Sequence, residues 1–447
     1  MKSGPVAFLF PAFPNLHQTF VLWEVLALRE RGIDIALYSI KRPVTKTQQP
    51  EGQALQAEVT YLPSTLSVSV LVANLALLAR RPRRYLGAVV GVVRGWWQDR
   101  AAGRAWQTQQ VSADAPDRER TLLESLRGWF NRSPVLYLLK SLWLIPLAVW
   151  LARDLERRGI ARLHAHWASY AATVALVVHW LTDIPFSFTA HAYDIYLVPR
   201  LLGVKVREAD FAVTCARVNA EFLNRLAGTA PGERVIVNYH GVSRTRFAPQ
   251  QPRGRGAVPC LVTCGRLEPY KGHHILLRAV AQLGRPVRVV LVGEGPQRQR
   301  LAQLAAELGI AERVEFTGPL PQARLAEVYA DADVFVLASV ILERSGKRDV
   351  IPNVLAEAMA MRLPVVATTI SGIAELVTDG VSGRLVPPND AAALARVLGE
   401  LLDDPAQRQR LAHEGAATVA RMFDRDVNIE DLAALFRGER PTMRGGA

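Results

Sequence analysis

The chain has 447 residues, half of them hydrophobic, and its formal net charge at pH 7 is +13. This length predicts more than one domain, and the hydrophobic content excludes a globally disordered chain. The three cysteines are too few for a disulfide framework and indicate a reducing compartment. The charge favours an anionic partner, which is a nucleic acid, an anionic lipid or a phosphorylated substrate.

The start of the chain is a poor signal peptide, because prolines interrupt its apolar stretch. No apolar run reaches the length of about 20 residues that spans a bilayer. The longest runs are 65–79 and 141–152, and each ends at an arginine. We therefore expect no transmembrane helix.

Short apolar runs alternate with helical patterns in the first half of the chain, which is typical of a parallel sheet. An amphipathic helix closed by Gly32 separates the first two runs. The predicted strands are 5–10, 33–40, 161–167, 186–192, 211–216 and 234–239.

Residues 65–158 interrupt this alternation with helical patterns rich in tryptophan and arginine, around an expected exposed loop at 107–120. Residues 244–256 are rich in Pro, Gly and Arg, which is typical of an interdomain linker. The alternation then restarts, and the predicted strands are 260–267, 287–295, 313–318, 332–339, 364–369 and 383–388.

We therefore expect an α/β protein with two doubly wound domains. The first covers 1–243 with a helical, basic insertion at about 65–158, and 244–256 is the linker. The second covers 257–422, and 423–447 holds one more helix and a tail.

Candidate binding residues follow the first two strands of the second domain, where open α/β sheets bind ligands. The segment CGRLEPYKG (264–272) places Gly265, Arg266 and Lys271 after a strand, and two cations on such a loop suit a diphosphate. The segment VGEGP (292–296) ends the next strand with two glycines, which allow a close backbone approach. Alone, each segment is a weak signal, and an ordinary solvated loop is the alternative.

The segment from 348 onwards, interpreted as a helix, spaces Asp349, Asn353 and Glu357 four residues apart on one face. Pro352 suits the first turn of this helix, whose free N–H groups would bind phosphate. Glu357 would accept hydrogen bonds from a ribose. The alternative is a carboxylate that complements the helix dipole and an exposed glutamate.

These three segments of the second half resemble the donor half of glycosyltransferase family 4, which has the GT-B fold. HAHWA (164–168), PFSFTAHAYDIY (185–196) and NYHGVSRTRF (238–247) resemble the family in the first half. FPNLHQTF (13–20), which contains His17, is similar to the start of bacterial exopolysaccharide and colanic-acid-type members. The resemblance implies two Rossmann-like domains facing across a cleft, with the C-terminal helix crossing back to the first domain.

The resemblance also assigns roles to residues. Arg266 and Lys271 would bind the donor diphosphate, Glu357 the ribose, and His191 and Asp194 would lie beside the transferred sugar. Asp349 stands where the family usually has the first glutamate of its Glu-x7-Glu motif, and we expect it, His191 and Asp194 to be catalytic. The other expected donor-binding residues are Gly265, Gly293, Glu294, Ile351, Pro352, Asn353, Val354 and Leu355. A buried structural role is the alternative for His191.

Two positions depart from the family pattern. Val350 replaces a common glycine and would restrict the loop near the sugar. Ser243 replaces a usual aspartate, which puts its contribution in doubt.

By this resemblance, the protein is a retaining hexosyltransferase that needs no metal or other cofactor. It would move a sugar from a nucleotide diphosphate to a saccharide acceptor, such as a polyprenyl-diphosphate-linked one, in bacterial surface polysaccharide synthesis. The alternatives are a catalytically silent GT-B assembly protein and a nucleotide-sugar isomerase on the same fold. We expect Lys271→Ala and Glu357→Ala to weaken donor binding and leave the fold intact.

An arginine cluster at Arg80, Arg81, Arg83 and Arg84 joins an apolar helical pattern that ends in two tryptophans. Cations near an anionic bilayer contribute about 1 kcal/mol each, so these four predict roughly 4 kcal/mol of attraction to the inner face of the cytoplasmic membrane. With His17, they are the expected acceptor and membrane residues. The alternative is a helical cap with a buried apolar face and solvated arginines. We expect no nucleic-acid partner, because no reader motif occurs.

Overall fold

The computed structural model describes residues 4–14, 19–43, 50–99, 133–196, 200–251, 256–342 and 346–440. The described residues divide into two compact units. The first unit contains those up to Asn238 and those from Ile429 onwards, and the second contains those within Tyr239–Asn428.

The first unit is built on a parallel sheet with the strand order β3-β2-β1-β4-β5-β6-β7. Its strands are β1 Val6–Ala12, β2 Ile35–Lys41, β3 Thr60–Tyr61, β4 Arg162–His166, β5 Phe186–Ala190, β6 Phe211–Thr214 and β7 Val235–Val237. Six of these strands coincide with predicted ones. β3 has only two residues, too few to produce an alternating or apolar pattern.

Helices of the first unit connect these strands. They are α1 Thr19–Glu30, α2 Pro50–Glu58, α3 Val68–Arg80, α4 Pro82–Gln98, α5 Pro134–Trp143, α6 Ile145–Arg157, α7 Tyr170–Thr182, α8 Ala192–Tyr196, α9 Leu202–Glu208 and α10 Arg217–Ala227. The region predicted to be helical, 65–158, supplies α3 to α6, and the predicted loop 107–120 lies outside the described residues.

One helical stretch differs from the expectation that no apolar segment is long enough to span a membrane. α5 and α6 follow one another, and by length and composition alone the 23 residues Val135–Arg157 reach that length. The charge of Lys140 divides the stretch in the sequence, so the pattern shows two shorter runs. Because 44% of its most apolar window is buried and α6 packs against α3 and α7, α6 serves as a core helix of this unit.

The second unit contains a parallel sheet with the order β10-β9-β8-β11-β12-β13. Its strands are β8 Cys260–Cys264, β9 Arg288–Val292, β10 Val314–Gly318, β11 Val334–Leu337, β12 Val365–Thr368 and β13 Arg384–Val386. All six lie in predicted strands. Such strands are nearly continuous apolar runs because helices cover both faces of the sheet.

Helices of the second unit begin after its first strand. They are the 3₁₀ turns Pro269–Lys271 and Ala311–Arg313 and the helices α11 His273–Gln282, α12 Arg298–Glu307, α13 Gln322–Ala330, α14 Asn353–Ala360, α15 Ile373–Leu376, α16 Ala391–Asp403 and α17 Pro405–Met422. The strand order reverses direction between β8 and β11, which is where open α/β sheets form a ligand crevice.

The last helix, α18 Arg425–Arg437, contributes to the core of the first unit from Ile429 onwards. Leu432 and Ala433 are buried in a cluster with Phe8 and Phe10 of β1. Burial of this apolar face accounts for the helical pattern at the end of the chain.

The start of the segment predicted as a linker, 244–256, packs on the second unit. Phe247 is buried, and its ring centroid lies 6.3 Å from that of Tyr329 on α13. Arg244 forms an ion pair of 3.2 Å with Asp424. One aromatic side chain thus fixes a stretch whose composition is otherwise typical of a linker.

Candidate functional site

A buried ion pair lies at the reversal of strand order in the second unit. Lys271 follows β8 and Asp349 follows β11, and Lys271 Nζ lies 2.8 Å from Asp349 Oδ1. Each side chain is only 11% exposed. The second carboxylate oxygen of Asp349 accepts a hydrogen bond of 2.6 Å from Ser339 Oγ. The structure thus brings together two residues that the sequence places 78 positions apart.

The electrostatics of Lys271 favour its charged form. Burial alone would lower its pKa, but the charge of Asp349, with smaller contributions from Tyr270 and Cys264, outweighs burial and raises the pKa above its ordinary value. The ammonium group is therefore a permanent cation at this edge of the sheet.

Two glycines allow the backbones after β8 and β9 to approach closely. A Cβ atom on Gly293 would lie 2.0 Å from the carbonyl oxygen of Gly265, and Gly293 has φ 133°. A Cβ atom on Gly265 would lie 3.3 Å from Cε of Lys271. Gly293 therefore permits the close approach of the two backbones, and Gly265 lies directly against the Lys271 side chain. Glu294, between Gly293 and Gly295, is exposed.

A second group of charges surrounds the same loop. Arg266 is exposed and lies 3.3 Å from a carboxylate oxygen of Glu268, whose other oxygen lies 3.0 Å from Lys347 Nζ. The Lys347 ammonium also lies 4.8 Å from the centroid of the Tyr270 ring. Sequence reasoning missed Lys347, although it stands two residues before Asp349.

The acid-bearing helix begins beside Pro352, where the sequence predicts its first turn, and does not include Asp349. α14 starts at Asn353, and Asp349 lies in the irregular segment before it. The prediction of a single helical face carrying Asp349, Asn353 and Glu357 is wrong, because a residue that precedes a proline avoids the helical conformation and Pro352 ends the irregular segment. Asp349 instead reaches Lys271 from outside the helix.

Five of the predicted donor-binding residues lie just before α14 and in its first turn. Ile351, Asn353 and Val354 are partly exposed, whereas Pro352 and Leu355 are buried. The N–H groups at this helix start offer a positive dipole end to an anion.

Glu357 lies one turn into α14 and is partly buried. Desolvation raises its pKa to about 7. No described cation forms an ion pair with it. Burial and then the charge of Glu357 raise the pKa of Cys264, the last residue of β8, to about 12, so Glu357 lies near the same strand end as Lys271.

The neighbouring His273 was not predicted. It is the first residue of α11 and is buried, and burial together with the charge of Lys271 lowers its pKa to about 3. It is therefore neutral. Its position two residues after Lys271 is the only sequence signal that points to it.

Two of the predicted catalytic residues, His191 and Asp194, lie in the first unit, after β5. Asp194 is buried, and its two carboxylate oxygens accept hydrogen bonds from the backbone N–H groups of Ala168 and His191, the latter at 2.9 Å. Desolvation raises the pKa of Asp194 to about 7. The His191 ring lies against Trp167, with centroids 5.3 Å apart. Asp194 thus positions the backbone of His191 and does not offer a free carboxylate.

Lys205 is a buried partner of this arrangement that sequence reasoning missed. Its Nζ donates hydrogen bonds to the carbonyl oxygens of Ala168 (2.6 Å) and Ser169 (2.8 Å) and to the Tyr137 hydroxyl (3.2 Å). Desolvation lowers its pKa to about 7, although the charges of Asp194 and Asp99 oppose this. The backbone at Ala168 and Ser169 is therefore held by two buried charged side chains, Asp194 and Lys205.

The arginine cluster is only partly available to an external partner. Arg81 forms an ion pair of 3.3 Å with Glu156, and Arg84 forms one of 2.7 Å with Asp183. Among the described carboxylates, none pairs with Arg80 or Arg83. His17 lies outside the described residues.

The sequence matches a known family of enzymes and several of its members. A family model described as "Glycosyl transferases group 1" matches residues 258–404. The D-inositol 3-phosphate glycosyltransferase of Thermomonospora curvata is 32% identical over 332 residues, which are 68% of this chain and 72% of that protein. The chain belongs to the group 1 glycosyl transferases.

Other relatives of this group 1 glycosyltransferase share less of their length with it. The protein named as the colanic acid biosynthesis glycosyltransferase WcaL of Salmonella typhimurium is 36% identical over 211 residues. This match covers 46% of the chain and 52% of that relative, so the chain spans about half of its length.

Solved structures share the fold of this glycosyltransferase. HepE of Anabaena, determined in complex with UDP, has a TM-score of 0.67 at 17% identity and covers 97% of the chain and 100% of HepE. A glycosyltransferase of Rickettsia africae has a TM-score of 0.66 at 14% identity, with 98% of this chain and 99% of that one covered. The predicted GT-B fold class with two Rossmann-like domains is confirmed, and so is the predicted class of enzyme, a hexosyltransferase-type glycosyltransferase.

No cluster of three or more His, Cys, Asp or Glu side chains suited to a metal ion occurs among the described residues. The expectation that transfer needs no metal stays a prediction.

Proposed function

We propose that this group 1 glycosyltransferase takes its sugar from a nucleotide diphosphate bound at the carboxyl edge of the second sheet. The observation that carries the proposal is the buried ion pair between Lys271 and Asp349, which lies beside the close backbone approach at Gly265 and Gly293. Relatives of the fold support the same ligand class, because HepE was determined in complexes with UDP and with UDP-glucose.

Each residue has a role in this proposal. Lys271 and the N–H groups at the start of α14 contact the diphosphate, and Arg266 adds an exposed cation at the mouth of the loop. Glu357 accepts hydrogen bonds from the ribose hydroxyls. Asp349 holds Lys271 in place and reaches the transferred sugar.

The reaction is a transfer with retention of configuration. The bond between the anomeric carbon and the diphosphate oxygen breaks, a bond to the acceptor oxygen forms, and the leaving phosphate takes the acceptor proton. Negative charge develops on the diphosphate, and cations and helix N–H groups aimed at it lower the barrier. Losing one such donor typically costs about 10²–10³ in rate. No metal is required for this step.

The acceptor belongs to bacterial surface polysaccharide synthesis and is a saccharide on a lipid carrier such as a polyprenyl diphosphate. The relative named for colanic acid biosynthesis supports this assignment. The exposed Arg80 and Arg83 support a position at the cytoplasmic face of an anionic membrane, where such a carrier resides.

A panel of nucleotide sugars tests the donor. We expect one of them to raise the unfolding temperature by mass action and then to label a lipid-linked acceptor, with the donor's anomeric configuration kept in the product. Binding without transfer to any lipid-linked saccharide would favour the silent assembly protein. A new sugar formed from the donor alone would favour the isomerase.

A further inference from the structure

The first unit exposes large hydrophobic side chains in one region. Among the described residues, thirteen exposed large hydrophobic residues lie within 66–143, whereas only Val258 and Val381 lie elsewhere. Single exposed apolar residues are normal on a protein surface, but a concentration of this kind marks an interaction surface.

The exposed side chains follow the helical period. On α3, Leu71, Leu75 and Leu78 are 58%, 58% and 41% exposed, and they are spaced by four and three residues. They therefore form one stripe, while Val70 and Ala73 of the same helix are buried.

Glycines on α4 determine which of its sides is turned inwards. A Cβ atom on Gly91 would lie 2.7 Å from the Trp180 ring of α7, and one on Gly95 would lie 2.7 Å from Leu201. These close contacts place Val90 and Trp97 on the outer side, where they are 62% and 61% exposed.

α5 continues the pattern and contacts α4. Its Leu139 and Trp143 are 54% and 55% exposed, whereas Tyr137 and Ser141 are buried. The outer sides of α3, α4 and α5 are called the apolar face below.

Cations border the apolar face, and carboxylates are missing from it. The described residues of α3, α4 and α5 include no Asp or Glu. Arg80, Arg83, Arg94 and Lys140 lie on these helices without an ion pair to a described carboxylate. A pocket between α3 and α6 is lined by Arg80, Arg81 and a further arginine, Arg153, with Glu156 as its only carboxylate among the described residues.

We propose that the apolar face and its unpaired cations bind an anionic lipid bilayer, with the apolar side chains inserted at the level of the head groups. This chemistry matches a bilayer because tryptophans prefer the interface, apolar stripes enter the acyl boundary and cations attract anionic lipids. The inference deepens the proposed function, since it gives the surface through which the enzyme reaches a lipid-linked acceptor. In this proposal Arg94 and Lys140 join Arg80 and Arg83 as membrane-binding cations, whereas Arg81 and Arg84 are engaged in ion pairs.

Flotation of the full chain with vesicles tests the proposal. We expect strong binding to phosphatidylcholine vesicles that contain phosphatidylglycerol and weak binding to phosphatidylcholine alone. The variant Leu71→Ser/Leu75→Ser/Leu78→Ser should lose at least tenfold in partition coefficient. The variant Arg80→Gln/Arg83→Gln should lose about fivefold per cation at low salt and less at high salt.

Matched controls come from the other unit. Val258→Ser/Val381→Ser removes the two exposed large hydrophobic residues that the structure describes outside the region. Arg410→Gln/Arg421→Gln removes two exposed arginines of α17. Both variants should float like the wild type. Because all substituted side chains are exposed, circular dichroism should show each variant folded.

Equal flotation of the wild type and the triple leucine variant would overturn the proposal, as would a wild type that does not float with anionic vesicles. Sedimentation without lipid tests whether a second protein chain occupies the apolar face. A wild-type dimer that the triple leucine variant fails to form would show that the face is a protein interface, which would overturn the proposal. Nucleotide binding by the same variants separates the two proposals. Vesicle binding without any nucleotide binding would contradict the proposed function and leave the membrane surface intact.

Discussion

The ionised carboxylate of Glu357 is predicted to lower the free energy of unfolding. Its pKa is about 7 in the folded protein against an ordinary value of 4.5. The folded protein therefore retains this proton over a range in which the unfolded chain releases it. Stability is lost as the pH rises from about 4.5 to about 7, and the loss is complete above that range.

Glu357→Gln should therefore raise the free energy of unfolding at pH 8 by about 1–3 kcal/mol, the upper figure applying to full burial. The gain should fall towards zero at pH 5. Urea unfolding at the two pH values measures it, with the exposed Glu414→Gln as the control. An equal gain at both pH values would show that desolvation of the carboxylate is not its cause.

Lys271 contributes to the fold as well as to the site. Lys271→Met leaves Asp349 largely buried without its cation, and breaking a buried pair on one side costs about 3 kcal/mol or more. The sequence expectation that Lys271→Ala leaves the fold intact therefore needs revision.

The double variant Lys271→Met/Asp349→Asn removes the pair as a unit and keeps an acceptor for Ser339. We expect it to be more stable than Lys271→Met alone, as a double-mutant cycle in urea unfolding would show. Additive losses would mean that the two side chains do not interact.

Asp194 is expected to affect catalysis indirectly, by holding the backbone of Ala168 and His191 in position. Asp194→Asn supplies one acceptor oxygen for two N–H groups, so one hydrogen bond to Ala168 or His191 is lost, at about 2 kcal/mol. The variant should show a lower kcat with unchanged nucleotide affinity, and Glu221→Gln on α10 is the control. A variant with wild-type kcat would exclude the positioning role.

At the scale of elements, the loops after β8 and β9 depend on their glycines. Gly293→Ala would place a methyl group 2.0 Å from the Gly265 carbonyl oxygen, so the backbone must move and nucleotide binding should be lost. Gly309 also has a positive φ, 69°, but no atom lies within 4 Å of the position that an added methyl group would take, so Gly309→Ala should cost only about 1–2 kcal/mol. Urea unfolding and nucleotide titration of both variants separate the two effects. Gly293→Ala reports the loss of a close backbone contact, and Gly309→Ala reports conformational strain alone.

Elements were more predictable from the sequence than the contacts between them. Buried parallel strands are apolar runs, so twelve strands were located, whereas the two-residue β3 carries no pattern. Pro352 predicts the start of α14 to within one residue, whereas the four-residue spacing of Asp349, Asn353 and Glu357 does not reveal that Asp349 lies outside the helix. The Lys271–Asp349 pair and the buried Lys205 depend on tertiary packing, which no local pattern encodes.

At the scale of the whole molecule, the two proposals assign different ligands to different units. Hydrogen exchange should show nucleotide-dependent protection at 264–272, 292–296 and 346–357 of the second unit. Anionic vesicles should instead protect 68–98 and 134–143 of the first unit. Protection of one set of segments by both ligands would contradict this division.

Calorimetric titration with UDP, GDP and ADP tests the donor site most directly. The account predicts that the wild type binds at least one of these nucleotides, that Glu357→Gln and Lys271→Met/Asp349→Asn each weaken this binding at least tenfold, and that Arg410→Gln does not. Binding that is equally tight in all four proteins would contradict the assignment of the site to these residues.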